Sequence, residues 1–202
     1  MPGGARSRGT SAGRVIAGRA RGVRLGAPGE GTRPLGDRVK QALFAILEPE
    51  IRGRPFLDLF AGSGAAGIEA LSRGAVAAVF VERDAGALRA IVANLAAAGL
   101  APAARTVRSD AVSWLVREGQ AAGPFAVVFI DPPYDRPELV ERALEAVAAA
   151  GPDAILGRDG VVVVKHFWRD RSVPSPLLRS VREERFGETM LSFYRWADEV
   201  EA

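Results

Sequence analysis

The chain has 202 residues, 48% of them hydrophobic, with a net charge of +3, one histidine and no cysteine. That length supports one domain with a substantial core, and the composition excludes disulfides, thiolate metal sites and a Cys nucleophile; one His without Cys is no donor set for zinc, so no metal is expected. No apolar run approaches the roughly 20 residues that span a bilayer, and Met1 to Gly13 lack a signal-peptide core, which makes cytoplasmic location the expectation.

Charge is unevenly spread. Residues 1–40 carry nine basic side chains against Glu30 and Asp37, a net of +7, so the rest of the chain sums to −4. Met1 to Gly13, rich in Gly, Ser and Arg, reads as a disordered tail. Arg14–Ala17 and Val23–Leu25 then flank Gly-Arg-Ala-Arg-Gly as a small basic β-hairpin. A loop from Gly29 to Pro34 leads to Asp37, a helix N-cap, and to a helix Arg38–Leu47 whose Val39, Leu43, Phe44, Ile46 and Leu47 share one face.

From there strands and helices alternate. Strand-like runs fall at Pro55–Ala61, Ala77–Glu82, Arg105–Asp110, Phe125–Asp131 and Gly160–Phe167, with helical runs at Gly64–Arg73, Ala85–Ala98, Ala111–Glu118 and Glu138–Ala150. After a loop punctuated by Pro174 and Pro176, Leu178–Arg185 and Thr189–Trp196 flank Phe186-Gly187-Glu188 with no helix between them. The pattern predicts an α/β fold: a doubly wound, mostly parallel seven-stranded sheet with a C-terminal antiparallel hairpin. The expected divisions are a tail 1–13, a basic hairpin and helix 14–52, and a catalytic domain 53–202.

Residues 57–67, Leu-Asp-Leu-Phe-Ala-Gly-Ser-Gly-Ala-Ala-Gly, place Gly62, Gly64 and Gly67 in a G-x-G-x-x-G spacing between a strand and a helix, with Glu82 at the next strand end. The spacing alone also fits a nicotinamide dinucleotide. Asp58 argues against that, because a carboxylate entering the loop repels a pyrophosphate, whereas S-adenosylmethionine carries a sulfonium, an ammonium and no phosphate. Glu82 suits ribose hydroxyls in either case, and Asp110 suits an adenine amine. The expected cofactor set is Asp58, Phe60, Ala61, Gly62, Ser63, Gly64, Glu82, Arg83, Asp110 and Ala111.

Residues 129–134 read Phe-Ile-Asp-Pro-Pro-Tyr. Asp131 stands at the carboxyl end of a buried strand, where open α/β sheets bind ligands. Pro132 and Pro133 supply no N–H, so the backbone of this turn offers acceptors without donors, and Tyr134 adds an aromatic face. A carboxylate, a bare carbonyl and an aromatic plate suit a planar group bearing an NH2, which makes Asp131, Pro132, Pro133 and Tyr134 the catalytic candidates. Arg forks grip phosphates, so Arg14, Arg19, Arg21, Arg24, Arg33, Arg38 and Lys40 are the candidate nucleic-acid contacts.

Asp58-Leu-Phe-Ala-Gly-Ser-Gly together with Asp131-Pro-Pro-Tyr134 resembles class I methyltransferases that modify exocyclic amines. Arg14-Val-Ile-Ala-Gly, Thr32-Arg33-Pro34, Asp37-Arg38-Val39-Lys40, Gly67-Ile-Glu-Ala-Leu-Ser-Arg-Gly74 and Phe186-Gly187-Glu188-Thr189 narrow the resemblance, over roughly residues 14–196, to the RsmD family. That resemblance implies a methyl transfer from S-adenosylmethionine to N2 of a guanine in 16S rRNA (guanine 966 in that family's target), within an assembled or assembling 30S subunit, by a monomer. A DNA adenine-N6 methyltransferase is the nearest rival, followed by a protein glutamine methyltransferase and a non-catalytic RNA-binding module. Two departures stand out: Leu35-Gly36 where the family has Thr-Thr, and Lys165-His166 where it often has an acidic residue. His166 reads as a strand-end surface residue, since amine methylation needs no imidazole.

Overall fold

The computed structural model describes residues 11–29, 35–170 and 176–197. Most of the expected tail, Thr32-Arg33-Pro34 and Pro174 therefore lie outside the described residues. At the N-terminal end, β1 (Ser11–Arg14) pairs antiparallel with β2 (Arg24–Gly26). Ser11 to Gly13, expected in a disordered tail, are in this strand because Ala12 is buried in the main core. The hairpin is thus displaced from the expected pieces, and Val15 to Val23 form its turn, held by Val15 N–H to the Val23 carbonyl at 2.9 Å.

The helix α1 (Asp37–Ile51) is longer than expected at its C-terminal end, where Ile51 extends the buried face. Asp37 is not the cap. Gly36 precedes the helix without a side-chain cap bond, and the Asp37 carboxylate instead pairs with Arg14 at 3.1 Å.

Seven strands follow: β3 (Pro55–Leu59), β4 (Ala77–Glu82), β5 (Ala104–Arg108), β6 (Phe125–Ile130), β7 (Leu156–Phe167), β8 (Leu178–Phe186) and β9 (Thr189–Trp196). They form one sheet in the order β5-β4-β3-β6-β7-β9-β8, parallel except where β9 runs between β7 and β8. The order reverses direction between β3 and β6, the position where doubly wound sheets open a ligand crevice. The connections are α2 (Ala65–Ser72), α3 (Ala85–Ala97), α4 (Ala111–Trp114) running through a π-turn into α5 (Gln120–Ala122), and α6 (Glu138–Ala150).

Side chains alternate between two cores with the period of two that a pleated sheet imposes. Phe56, Phe80, Val127, Phe129 and Val163 pack under α1 to α3 and the hairpin; Leu57, Val81, Val128, Ile130 and Val164 pack under α4 and α6. The basic hairpin is not a separate unit. Ala12, Val15, Ala20 and Leu25 share the first core, and the fully buried Glu69 of α2 accepts hydrogen bonds from Ile16 N–H (2.7 Å), Ala17 N–H (3.0 Å) and Arg73 Nε (2.7 Å). At Gly18 (φ +83°) a Cβ would lie 1.9 Å from the Ser72 carbonyl oxygen, so only glycine lets the turn sit against the end of α2.

Candidate active site

Two strand ends build the centre. β3 stops at Leu59, two residues earlier than expected, because Phe60 turns to φ +59°, a left-handed conformation that a bulky residue adopts only under constraint. That reversal throws Ala61 to Gly64 over the carboxyl end of the sheet and starts α2. The loop then satisfies its own donors: Gly62 N–H to Glu82 Oε2 (2.9 Å), Gly64 N–H to the Ala61 carbonyl (2.7 Å) and Gly67 N–H to Asp58 Oδ2 (2.9 Å). Gly67 packs so closely that a Cβ there would lie 2.4 Å from the Phe80 ring.

The N-terminus of α2, which in a dinucleotide site would face a pyrophosphate, is therefore answered by a carboxylate of the chain itself. Asp58 is 2% exposed. Burial pushes its carboxyl well above the usual range against the Gly67 hydrogen bond, and the negative charges of Asp131 and Glu82 push the same way. A cationic ligand entering here relieves that repulsion, and an anionic one worsens it.

A cavity of about 810 Å³ opens at this crevice. Of the expected cofactor set it is lined by Asp58, Phe60, Ala61, Gly62, Ser63, Glu82, Arg83, Asp110 and Ala111, and it reaches Asp131, Pro132, Pro133 and Tyr134. Gly64 does not line it; at φ +76° it is the turn residue behind the wall. Glu82 also accepts from Asp84 N–H at 2.8 Å, so its carboxylate braces two loops. Asp110 is not in β5 as expected, since that strand ends at Arg108. It is the N-cap of α4, and the Ser113 N–H holds its carboxyl below the usual range.

Asp131 brings a side chain that the sequence reading left without a role. Lys165, near the end of β7, donates from Nζ to Asp131 Oδ1 at 2.7 Å, with the two side chains 7% and 22% exposed. Burial works against the Lys165 charge, but Asp131 and Tyr134 outweigh it and hold the amine above its ordinary value. Burial raises Asp131, and Lys165 opposes that rise. The Lys165 ammonium also lies 4.6 Å from the Tyr134 ring centroid, so one face of that ring is covered. The Tyr134 hydroxyl and Thr189 Oγ1 are 3.1 Å apart, which ties the turn to β9. A lysine directly after four core valines was the signal in the sequence, since a charge rarely sits there without a partner.

Asn94 was also missed. Buried on α3, it accepts from Gly26 N–H (2.8 Å) and donates to the Gly26 and Ser63 carbonyls (both 2.9 Å), joining hairpin, glycine loop and helix. Its signal was an amide on an otherwise apolar helix face.

Two expectations are corrected. Lys40 is fully buried and donates to the Arg14 carbonyl at 2.6 Å, and burial lowers its amine; it is a core residue that cannot reach a phosphate. His166 is 7% exposed, not a surface residue. Its Nδ1 donates to the Phe167 carbonyl, which can only accept, and in the neutral ring Nε2 accepts from Ser192, both at 2.9 Å. Arg14, Arg19, Arg21, Arg24 and Arg38 are exposed or partly so. Arg19 sits beside Ser72 at the far end of α2 from the glycine loop, its N–H bonded to the Ser72 carbonyl at 2.9 Å, so the hairpin tip is remote from the cavity.

The chain matches the family model described as conserved hypothetical protein 95 over residues 13–195. It is 37% identical to YlbH of Bacillus subtilis over 188 residues, 90% of this chain and 98% of that protein. It is 44% identical over 129 residues to a protein of Escherichia coli strain K12 named ribosomal RNA small subunit methyltransferase D, an alignment covering 63% of each chain. The solved structure of YhhF from Escherichia coli superposes with a TM-score of 0.77 at 35% identity, covering 91% of this chain and 97% of that one.

Proposed function

The chain belongs to the conserved hypothetical protein 95 family, and from that membership and its cavity we propose that it is an S-adenosylmethionine-dependent rRNA methyltransferase acting on the N2 amine of a small-subunit guanine. The observation that carries the reading is the joining, in one cavity, of an acidic glycine-loop pocket to the Asp131-Pro132-Pro133-Tyr134 turn. The small-subunit substrate is supported by the name of the Escherichia coli relative.

The residues fit the cofactor. The loop's glycine N–H groups are already bonded within the chain, and Asp58 and Glu82 make the pocket acidic, which favours a sulfonium and an ammonium over a pyrophosphate. S-adenosylmethionine supplies, when bound, an electrophilic methyl group on sulfur. Asp58 would face the cationic tail, Glu82 the ribose hydroxyls and Asp110 the base. Gly64 and Asn94 fix the glycine loop that lies beside them.

Asp131 Oδ1 is taken by Lys165, which leaves Oδ2 and the Pro132 carbonyl as acceptors for the two N–H bonds of the substrate amine. Those two bonds favour a pyramidal nitrogen whose lone pair points away from them, and they stabilise the positive charge that develops there. Asp131 orients the amine, and the departing proton goes to water or to Asp131 itself, whose basicity burial raises in spite of the Lys165 ammonium. The free face of Tyr134 stacks on a base that is flipped out or already unpaired. The reading extends to the assembling 30S subunit as substrate and to a monomeric enzyme, with Arg19, Arg21 and Arg24 of the hairpin gripping more distant phosphates.

The test is methyl transfer from labelled S-adenosylmethionine to under-methylated small subunits, naked rRNA, duplex DNA and protein in parallel. Label should appear in N2-methylguanine of small-subunit rRNA, and Asp131→Ala should slow it by about a hundredfold or more, as when one preorganised transition-state hydrogen bond is removed. Label in DNA or protein with none in rRNA refutes the assignment, and wild-type turnover by Asp131→Ala refutes the mechanism.

A further inference from the structure

A cluster at the end of β7 takes no part in the site described above. Phe167 lies 6.4 Å from Tyr134, and Trp168 lies 6.2 Å from Phe167, ring centroid to ring centroid. The aromatic path thus leads outward from the Asp131 turn. At its end two guanidinium carbons lie over the Trp168 ring, Arg185 at 3.9 Å and Arg169 at 4.8 Å from its centroid. Arg169 and Arg185 stand at the surface, and Trp168 is half-buried. The assembly is held in place: Trp168 N–H donates to the Glu188 carbonyl at 3.0 Å, and Arg185 Nε donates to the Gly187 carbonyl at 2.9 Å, which joins the β7 exit to the β8–β9 turn.

We propose that Trp168, Arg169 and Arg185 form a phosphate clamp that grips the RNA backbone within one or two nucleotides of the methylated guanine. The proposal rests on the rRNA reading above and deepens it. A guanidinium lying on an indole has its rotamer freedom reduced in advance, while its N–H bonds stay in its own plane, where they fork phosphate oxygens. Trp168 lies within about 13 Å of Tyr134 along the aromatic path, so a strand leaving a base against Tyr134 passes the clamp. Arg19, at the far end of α2, cannot serve that step, which gives the two basic regions different work: the hairpin tip takes the body of the RNA and the clamp holds the target segment.

The test uses the full chain and a labelled small-subunit rRNA fragment that the wild type methylates. Binding is followed across a salt titration for Arg169→Gln combined with Arg185→Gln, for Trp168→Leu, and for Arg117→Gln, an exposed arginine on the π-turn after α4. The double variant should bind about tenfold more weakly at low salt, and its log–log salt slope should fall by about 0.7 to 0.9, the increment that neutralising a single phosphate contributes. Trp168→Leu should weaken binding with its slope kept, since the charges remain and only their ordering is gone. Arg117→Gln should match the wild type, and S-adenosylhomocysteine affinity by calorimetry should stay unchanged in all three. A double variant with wild-type affinity and slope overturns the clamp, as does one that loses S-adenosylhomocysteine binding in parallel. Failure of the wild type to methylate both the fragment and under-methylated small subunits refutes the rRNA reading instead, which is a separate result.

Discussion

Replacing Lys165 with Met keeps the length of the side chain and removes its charge, leaving Asp131 without its partner. Two unit charges about 4 Å apart attract by about 4 kcal/mol at an effective dielectric of about 20 and by about 1 kcal/mol in water. Lys165 is 7% exposed and Asp131 22% exposed, so the pair lies between those limits. A loss of about 2 kcal/mol is expected, equivalent to a fall in melting temperature of roughly 4 to 8 °C for a chain of this size. The chemistry should change in a way that a stability defect cannot mimic. With the ammonium gone, burial raises Asp131 unopposed, so more of it is protonated at a given pH and the acid limb of the kcat profile moves to higher pH. Lys165→Arg should restore part of the rate by restoring the charge. The assay is single-turnover methyl transfer from pH 5 to 9 at a temperature where the variant is folded. If Lys165→Met keeps both the wild-type kcat and the position of the acid limb, the ion pair has no part in orienting the amine.

Two further perturbations test the frame. The folded carboxyl of Asp58 is raised well above its ordinary value of 3.8, chiefly by burial, so its contribution to stability is present below that value and is lost as pH rises toward the folded pKa. Urea unfolding of the ligand-free protein should therefore show a decline with rising pH that Asp58→Asn flattens, while calorimetry shows weakened S-adenosylhomocysteine binding; an unaltered pH dependence would contradict the burial argument. Glu69→Ala strands the Ile16 and Ala17 N–H groups and the Arg73 guanidinium, at a cost of about 3 to 5 kcal/mol for breaking a buried charged network. Hydrogen exchange should show the hairpin opening ahead of the sheet, and equal protection of residues 15–24 in variant and wild type would show that Glu69 does not anchor it.

Much of the site was legible as residue types at strand ends. The glycine spacing, Asp58, Glu82 and Asp131-Pro-Pro-Tyr134 are local patterns, and the βα alternation places all of them at the carboxyl end of one sheet whatever the details of packing. Element ends were less legible. β3 ends early because Phe60 takes a positive φ, and Asp110 caps a helix in place of closing a strand, and neither event has a periodic signature.

Hydrophobic period, turn residues and chain order are local properties, so the residues alone specify the parallel sheet, the order of its elements and the acidic glycine loop. They do not specify the fate of individual charges. Lys40 counted as a basic surface residue until α1 and the hairpin closed over it. Lys165 stood as a departure without an assigned role until β6 and β7, paired in register, brought it to 2.7 Å from Asp131 across 34 residues of chain. Whether a charge meets solvent, a carbonyl or a carboxylate depends on contacts between segments distant in sequence, and those exist only once the sheet has formed.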